Sequence, residues 1–432
     1  DELLIIQGHL TPLIDYVMNN YLTDYVEETL VIIQALTYFK NTLTQQDWSL
    51  YPKIIRMVLG WGPGCYGYAL PSLANFLSRD VPGFLSGISA YVDDDDQVRQ
   101  YTNIELLYRL VSKHFNAVEV DVDILEAQTT SMYLLRAHIG WLPKEADLQP
   151  AQIEGFIQRL TSLLVPQLLR SLCYTDANGN HINSDENESN KRKKYAILVL
   201  DCLATLIHQF PTATITSFLK TDVSQNVGKN MSLLHLIIDS YHQVINTASR
   251  EQSVYTSIIG LSTVVAFLSQ SMFDDENFSV LRTNVVSLLF GAMLRFRELE
   301  AMSDAENEDD HLLYDDDDDD DDEYGDFGDD NGEDSLAVEK EIQQQTEKFA
   351  EYARITRELT SCASNDLSFQ DYDLVAPIDN INYFDSFGSA LQAWSNSSLS
   401  NRVDVEKNVL QTLIDPNNPE HVNLKTVISY SE

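Results

Sequence analysis

The stretch Tyr25–Arg79, YVEETLVIIQALTYFKNTLTQQDWSLYPKIIRMVLGWGPGCYGYALPSLANFLSR, decides the fold class. Its first part, Tyr25–Lys40, puts Val26, Leu30, Ile33 and Thr37 on one face at helical spacing, the mark of an amphipathic helix. Thr44, followed three residues later by Asp47, then resembles a capping box with Asp in place of Glu. It opens a second helix whose Trp48, Tyr51, Ile55, Val58 and Leu59 share a face. Gly60, Gly62, Pro63 and Gly64 end that helix, since glycine and proline both interrupt a helical run. A third helix carries Tyr68, Leu70, Leu73, Phe76 and Leu77, with Pro71 inside it as a point of bending.

Outward from this stretch the same pattern continues. Thr102–Phe115 presents Ile104, Leu107, Val111 and Phe115 on one face. The spacing predicts further helices over Val120–Ile139, Ile153–Tyr174, Tyr195–Phe210, Ser232–Asn246, Val254–Ser271 and Asn277–Leu299. Breaks fall at Pro143, Pro150, Asn178–Asn180, Pro211 and Asp274–Asp275, and no alternating strand blocks are read between them. With 17 Gly and 12 Pro in 432 residues, the chain has few of the tight turns that a sandwich or barrel needs. It is also too long for a single core. Helices in series joined by short loops bury their faces pair against pair, so the expected fold is all-α: an α-solenoid of HEAT-like helical repeats with a disordered acidic insert. A large irregular helical domain is the alternative. The expected organisation is helical repeats over 1–302, an acidic disordered loop over 303–334, and C-terminal helices and tail over 335–432. In the last part, Ser335–Leu359 reads as a polar helix, and Tyr383–Trp394 with Val403–Ile414 as a closing pair. Tyr174–Asn190 reads as a polar loop.

Charge narrows the partners. Acids outnumber bases 67 to 28, a net charge of −39, which disfavours direct nucleic-acid binding and anionic membranes and favours basic proteins. About half the excess sits in Asp304–Asp334, where 19 acids occur with no Lys or Arg. At its centre stand Asp315, Asp316, Asp317, Asp318, Asp319, Asp320, Asp321 and Asp322, followed by Glu323. Such a run does not fold alone, because like charges repel and nothing apolar offsets the ordering entropy. It is expected to be a tether whose potential attracts Lys/Arg-rich surfaces within a Debye length of ~8 Å at physiological salt. Tyr314, Tyr324 and Phe327 are interleaved as apolar anchors. The bland alternative is a solubilising loop. The cluster Lys191–Lys194 reads as a solvated loop end, with a nuclear localisation signal as the sharper option.

Catalytic chemistry finds little support. Cys65, Cys173, Cys202 and Cys362 are widely spaced, which suggests neither a zinc site nor a disulfide framework and fits a reducing compartment. His235 and His242 lie seven apart on a Leu-rich helix and read as structural. The glycine-rich Gly60–Gly67 lacks the lysine of a phosphate loop, and no nucleophile elbow, zincin or dinucleotide motif occurs. The expectation is a non-enzyme with no metal and no cofactor. Apolar runs such as Ala196–Leu200 and Leu233–Ile238 are too short to span a bilayer, so no membrane insertion is expected. The chain opens at Asp1 in helix-like sequence, and we expect it to be a piece of a longer protein.

The order of these segments resembles a known family. Glu27–Glu28–Thr29–Leu30 with Leu36–Thr37, then Trp48 with Tyr51–Pro52, then Gly67–Phe76 resemble the C-terminal half of the importin-β superfamily of nuclear transport receptors, most of all the branch of importins seven and eight. Further on, Ser257–Phe267 with Gly260 and Leu261, a helix ending in Arg295 and Arg297, an acid-dense loop, and Pro377–Ile378–Asp379 with Phe384 and Phe387 follow in the family's order. The polar helix Ser335–Leu359 and the tail after Asp415 depart from it. The resemblance implies HEAT repeats that carry protein cargo through nuclear pores, moving between cytoplasm and nucleus. Its implied partners are basic cargoes such as ribosomal proteins and histones, Phe-Gly nucleoporins, and Ran-GTP in the full-length protein. On this reading the acidic loop contacts cargo. A helical scaffold or histone chaperone outside transport is the alternative.

Overall fold

A computed structural model describes residues 2–40, 42–93, 97–116, 122–172, 186–227, 230–270, 276–313 and 377–396. In chain order the elements are α1 (Glu2–Asn19), α2 (Val26–Tyr38), α3 (Gln45–Trp48), α4 (Tyr51–Leu59), α5 (Tyr66–Arg79), α6 (Val81–Ser86), β1 (Ile88–Val92), β2 (Val98–Thr102), α7 (Asn103–Phe115) and α8 (Val122–Trp141). They continue with α9 (Pro150–Leu172), α10 (Glu186–Gln209), α11 (Pro211–Lys220), α12 (Ser224–Val227), α13 (Leu233–Val244), α14 (Glu251–Leu268), α15 (Glu276–Leu313) and α16 (Tyr383–Asn396). The described chain is therefore mostly helical. The expected helix Val403–Ile414, the polar helix Ser335–Leu359 and most of the loop Tyr174–Asn190 lie outside the described residues.

The deciding stretch folds for the reasons its spacing gives. Val26, Leu30, Ile33 and Thr37 are all fully buried. The Thr44 capping box forms: Asp47 N donates to Thr44 Oγ1 at 3.4 Å, and Thr44 N and Oγ1 both donate to Asp47 Oδ2 at 2.7 Å. Asp47 does more than cap. It is fully buried, and its Oδ1 accepts from Gln7 Nε2 at 2.7 Å and from Lys40 Nζ at 2.6 Å, so one carboxylate ties α1, the end of α2 and the start of α3. Pro150 and Pro211, read as breaks, also start α9 and α11, where the missing N–H costs nothing.

The helix read as opening at Thr44 is split at Ser49 and Leu50 into α3 and α4, and α10 begins at Glu186, inside the stretch read as a polar loop. Two larger features also differ from the sequence reading. Ile88–Val92 and Val98–Thr102 form an antiparallel hairpin, with Ile88 opposite Thr102 and Val92 opposite Val98. Its inward residues Ser89 and Tyr91 are buried, while Ile88 and Ala90 lie on the other face. Each strand is only five residues long, too short a run of alternation to separate from loop by pattern alone. The other is α15, which continues to Leu313, into the stretch assigned from its charge to the acidic loop. Ala, Glu and Leu favour extension of a helix already nucleated.

The described residues up to Glu300, together with 377–396, belong to one compact unit, in which α16 packs on α14. The second unit is Ala301–Leu374, of which only the helical backbone to Leu313 is described. Within the first unit the helices pack in relay: α2 on α5, α5 on α8, α8 on α10, α10 on α14, and α14 on α16. A flanking set packs α4 on α7, α7 on α8, α9 on α10, and α11 on α13. Polar side chains fix some of these contacts. Ser72 Oγ donates to the Leu30 carbonyl, and Asn75 Nδ2 to the Gln34 carbonyl and Thr37 Oγ1, each at 3.0 Å, joining α5 to α2. Between α10 and α14 the approach is so close that a Cβ on Gly260 would stand 2.6 Å from Ala204 Cβ.

Among the described residues one stretch, Phe278–Ala301, is by composition long and apolar enough to cross a bilayer, longer than the runs weighed from the sequence. Half of it is buried inside the protein. Arg282 is fully buried there and donates to the Leu268 carbonyl at 3.0 Å, and Phe290 and Phe296 pack edgewise or tilted on Phe387 and Tyr255. We read it as a core helix.

Candidate functional site

The predicted cargo-contacting residues Asp315–Asp322 and Glu323, with Tyr314, Tyr324 and Phe327, lie outside the described residues. The basic cluster Lys191–Lys194 is described: it occupies an early turn of α10, at the start of a helix as its sequence suggests, with Lys191 and Lys194 exposed. His235 and His242 lie on α13 and are exposed; partial desolvation lowers both pKa values, against the raising charge of Asp239. His235 Nδ1 lies 2.8 Å from Ser232 Oγ, the cap of that helix. Among the described residues no group of three or more His, Cys, Asp or Glu is placed to hold a metal ion. Ser131 Oγ lies 3.3 Å from His114 Nδ1 and 3.2 Å from Tyr66 OH, but Ser131 is fully buried, out of a substrate's reach.

The best-organised polar site sits where Pro377–Ile378–Asp379 meets α8 and α14. Residues Pro377–Asn380 form a single 3-10 turn ahead of α16. Asp379 Oδ1 accepts from Arg136 Nη2 on α8 and from Gln252 Nε2 on α14. Arg136, only 7% exposed, also donates to Thr256 Oγ1 at 3.2 Å. Tyr255 OH donates to the Ile381 carbonyl. Ile378 packs on Ile259, with Tyr255, Ile381 and Tyr383 around the pair. Phe387 is fully buried and meets Phe290 with ring centroids 5.6 Å apart. These contacts clamp the segment onto α14 from both chemical directions, an ion pair inside and an aromatic seam beside it.

Beneath the clamp lies Asp201 of α10, 3% exposed. Ser253 Oγ donates to its Oδ2 at 2.6 Å, while Oδ1 accepts no hydrogen bond. Burial pushes its carboxyl up to about 7, although the charge of Arg136 and the Ser253 bond pull the other way. Sequence reasoning missed Asp201 and Arg136. The signal was present for Asp201: one carboxylate set inside the apolar run from Ala196 to Ala204.

Two surfaces complete the picture. A cleft of about 560 Å³ opens between α11, α14 and α16, lined among others by Thr212, Thr263, Phe267, Asp385 and Ser389. Ser262, 2% exposed, also lines it, and its hydroxyl has no hydrogen-bond partner. On α1 and α2, Leu4, Ile5, Leu13, Tyr16, Val31 and neighbouring Tyr21 and Tyr25 are at least half exposed.

No family model matches this chain, and no curated protein or solved structure matches it.

Proposed function

We propose that this chain is the cargo-handling part of a nuclear import receptor of the importin-β superfamily, built as an α-solenoid of HEAT-like repeats. The observation that carries the reading is the ordered set of resembling segments from Glu27 to Phe387, together with how its distant members meet. Ser257–Phe267 and Pro377–Phe387 are separate in sequence, yet Ile378 packs on Ile259 and Asp379 accepts from Gln252. The relay of α2, α5, α8, α10, α14 and α16 supports a stacked-repeat architecture, in which each helix finds its neighbour one unit further along. The receptor binds basic cargo, including ribosomal proteins and histones, through the acidic run Asp315–Glu323. It meets Phe-Gly nucleoporins in transit between cytoplasm and nucleus, and it releases cargo under Ran-GTP in the full-length protein. It needs no cofactor, catalyses no reaction, and neither binds nucleic acid directly nor inserts into a membrane.

The test is a pull-down of the full-length protein with Ran-GTP and with Phe-Gly repeats. Binding of neither removes transport and leaves a helical scaffold or histone chaperone acting through the same acidic run. Deleting Ser303–Asp334 and measuring affinity for a basic cargo at two salt concentrations tests the run itself. The expected result is weaker binding and a shallower salt slope; unchanged values for both return the run to a solubilising role.

A further inference from the structure

The chain is strongly acidic, yet one cleft reverses the balance. It lies between α7 and α9, has a volume of about 340 Å³, and is lined by Tyr101, Tyr108, Arg109, Ser112, Arg159 and Ser162, with Glu105 at its edge. A second hollow of about 380 Å³ shares Arg109 and Ser112 and adds Lys113. Arg109, Arg159 and Lys113 line these hollows with Glu105 the one acid among the lining residues, and Asp93 is paired with Arg109 behind them. Glu105 Oε2 accepts from Thr102 N and Oγ1, each at 2.8 Å, as the N-cap box of α7; it stays ionised and partly offsets the charge of Arg159.

The two guanidinium groups are held in place without being used up. Arg109 sits 5.4 Å from the centroid of the Tyr91 ring and 5.5 Å from that of Tyr101. Its Nη1 pairs with Asp93 Oδ1 at 2.7 Å and donates to Tyr101 OH at 3.1 Å. That leaves most of its five N–H donors uncommitted. Arg159 lies 4.7 Å from the Tyr108 centroid and makes no ion pair among the described residues. A guanidinium stacked on a ring keeps its donor edge open, and that planar fork matches the oxygens of a phosphoryl group. The rings restrict the two side chains before any ligand arrives, which lowers the ordering cost of binding.

We propose that this cleft is a binding site for a phosphorylated side chain on a short, otherwise uncharged peptide segment of a protein partner. Arg159 and Arg109 grip the phosphoryl oxygens, and the Ser112 hydroxyl adds a donor. A long polyanion such as nucleic acid is repelled by the chain's overall charge, whereas one phosphoryl group on a short segment engages only the local cations. The inference is independent of the transport reading and uses a different surface from the acidic run.

The test uses the full chain and a short fluorescein-labelled peptide of otherwise uncharged residues carrying one phosphoserine, followed by fluorescence anisotropy. Arg159 is exposed, so its variants are expected to fold. The phosphopeptide should bind saturably, its unphosphorylated form at least roughly tenfold more weakly, and inorganic phosphate should compete. Arg159→Ala should lose roughly tenfold, Arg159→Glu more, and Arg159→Lys an intermediate amount because it keeps the charge but not the fork. Equal affinity for both peptides, or full affinity in the Arg159→Glu variant, overturns the proposal. So does Arg159-dependent capture of a single-stranded oligonucleotide in place of the peptide.

Discussion

Asp201→Asn isolates a buried carboxylate that, alone among the described residues, the fold has moved into the neutral range. In the folded chain burial lifts the Asp201 carboxyl to about 7, against an ordinary value of 3.8. The folded state thus holds this proton more tightly than the unfolded state does. Its contribution to stability is full below pH 3.8 and is lost as pH rises through about 7. A displacement of about three pH units at about 1.4 kcal/mol each makes that loss about 4 kcal/mol. Asparagine does not titrate, so the stability of Asp201→Asn relative to wild type should climb by about 4 kcal/mol between about pH 4 and pH 8. Any fixed cost of the substitution is the same at every pH and drops out of the slope. The buried histidines oppose this trend within each protein: burial lowers His114 and His208 to about 4 and His138 to about 3, so their contributions grow as pH rises towards 6.5. They are common to both proteins and cancel in the difference. Urea denaturation followed by circular dichroism across that pH range measures the gap directly. A gap that stays flat within about 1 kcal/mol refutes the reasoning, because it requires Asp201 to ionise in the folded chain as easily as in water.

Two further substitutions probe how α14 is held. Gly260→Ala gains about 1 kcal/mol of helix propensity. It also drives a Cβ to 2.6 Å from Ala204 Cβ and 3.0 Å from its Cα, so overpacking of about 1–3 kcal/mol should win, giving a lower midpoint in chemical denaturation; an unchanged or higher midpoint sinks the close-approach argument. Asp379→Ala strips the partner from Arg136, whose side chain is 8% exposed, and should cost about 3 kcal/mol. Hydrogen exchange should then quicken first in Pro377–Asn380 and α16, and uniform exchange along the chain would show that Asp379 does not clamp that segment.

The local part of this fold was legible before any contact was known. Helical spacing located α2, α4, α5 and α7, and the pair Thr44 and Asp47 identified a cap, because these signals act within one or two helical turns. The acidic run is likewise a property of composition. The tertiary structure decided the rest. It set α16 against α14, made Asp47 the centre of a buried knot as well as a cap, and brought Arg136 to Asp379 across 243 positions. Asp201 was visible as an odd residue in an apolar run, but its raised pKa depends on what surrounds it: burial by α14, the Ser253 hydroxyl and the charge of Arg136. The Arg109–Arg159 cleft arises the same way, from two cations on different helices stacked over different tyrosines. Periodicity reports which face of a helix is apolar. Which other face it meets, and which charges are then shut away from water, depends on contacts between residues far apart in the chain, and no local pattern encodes those.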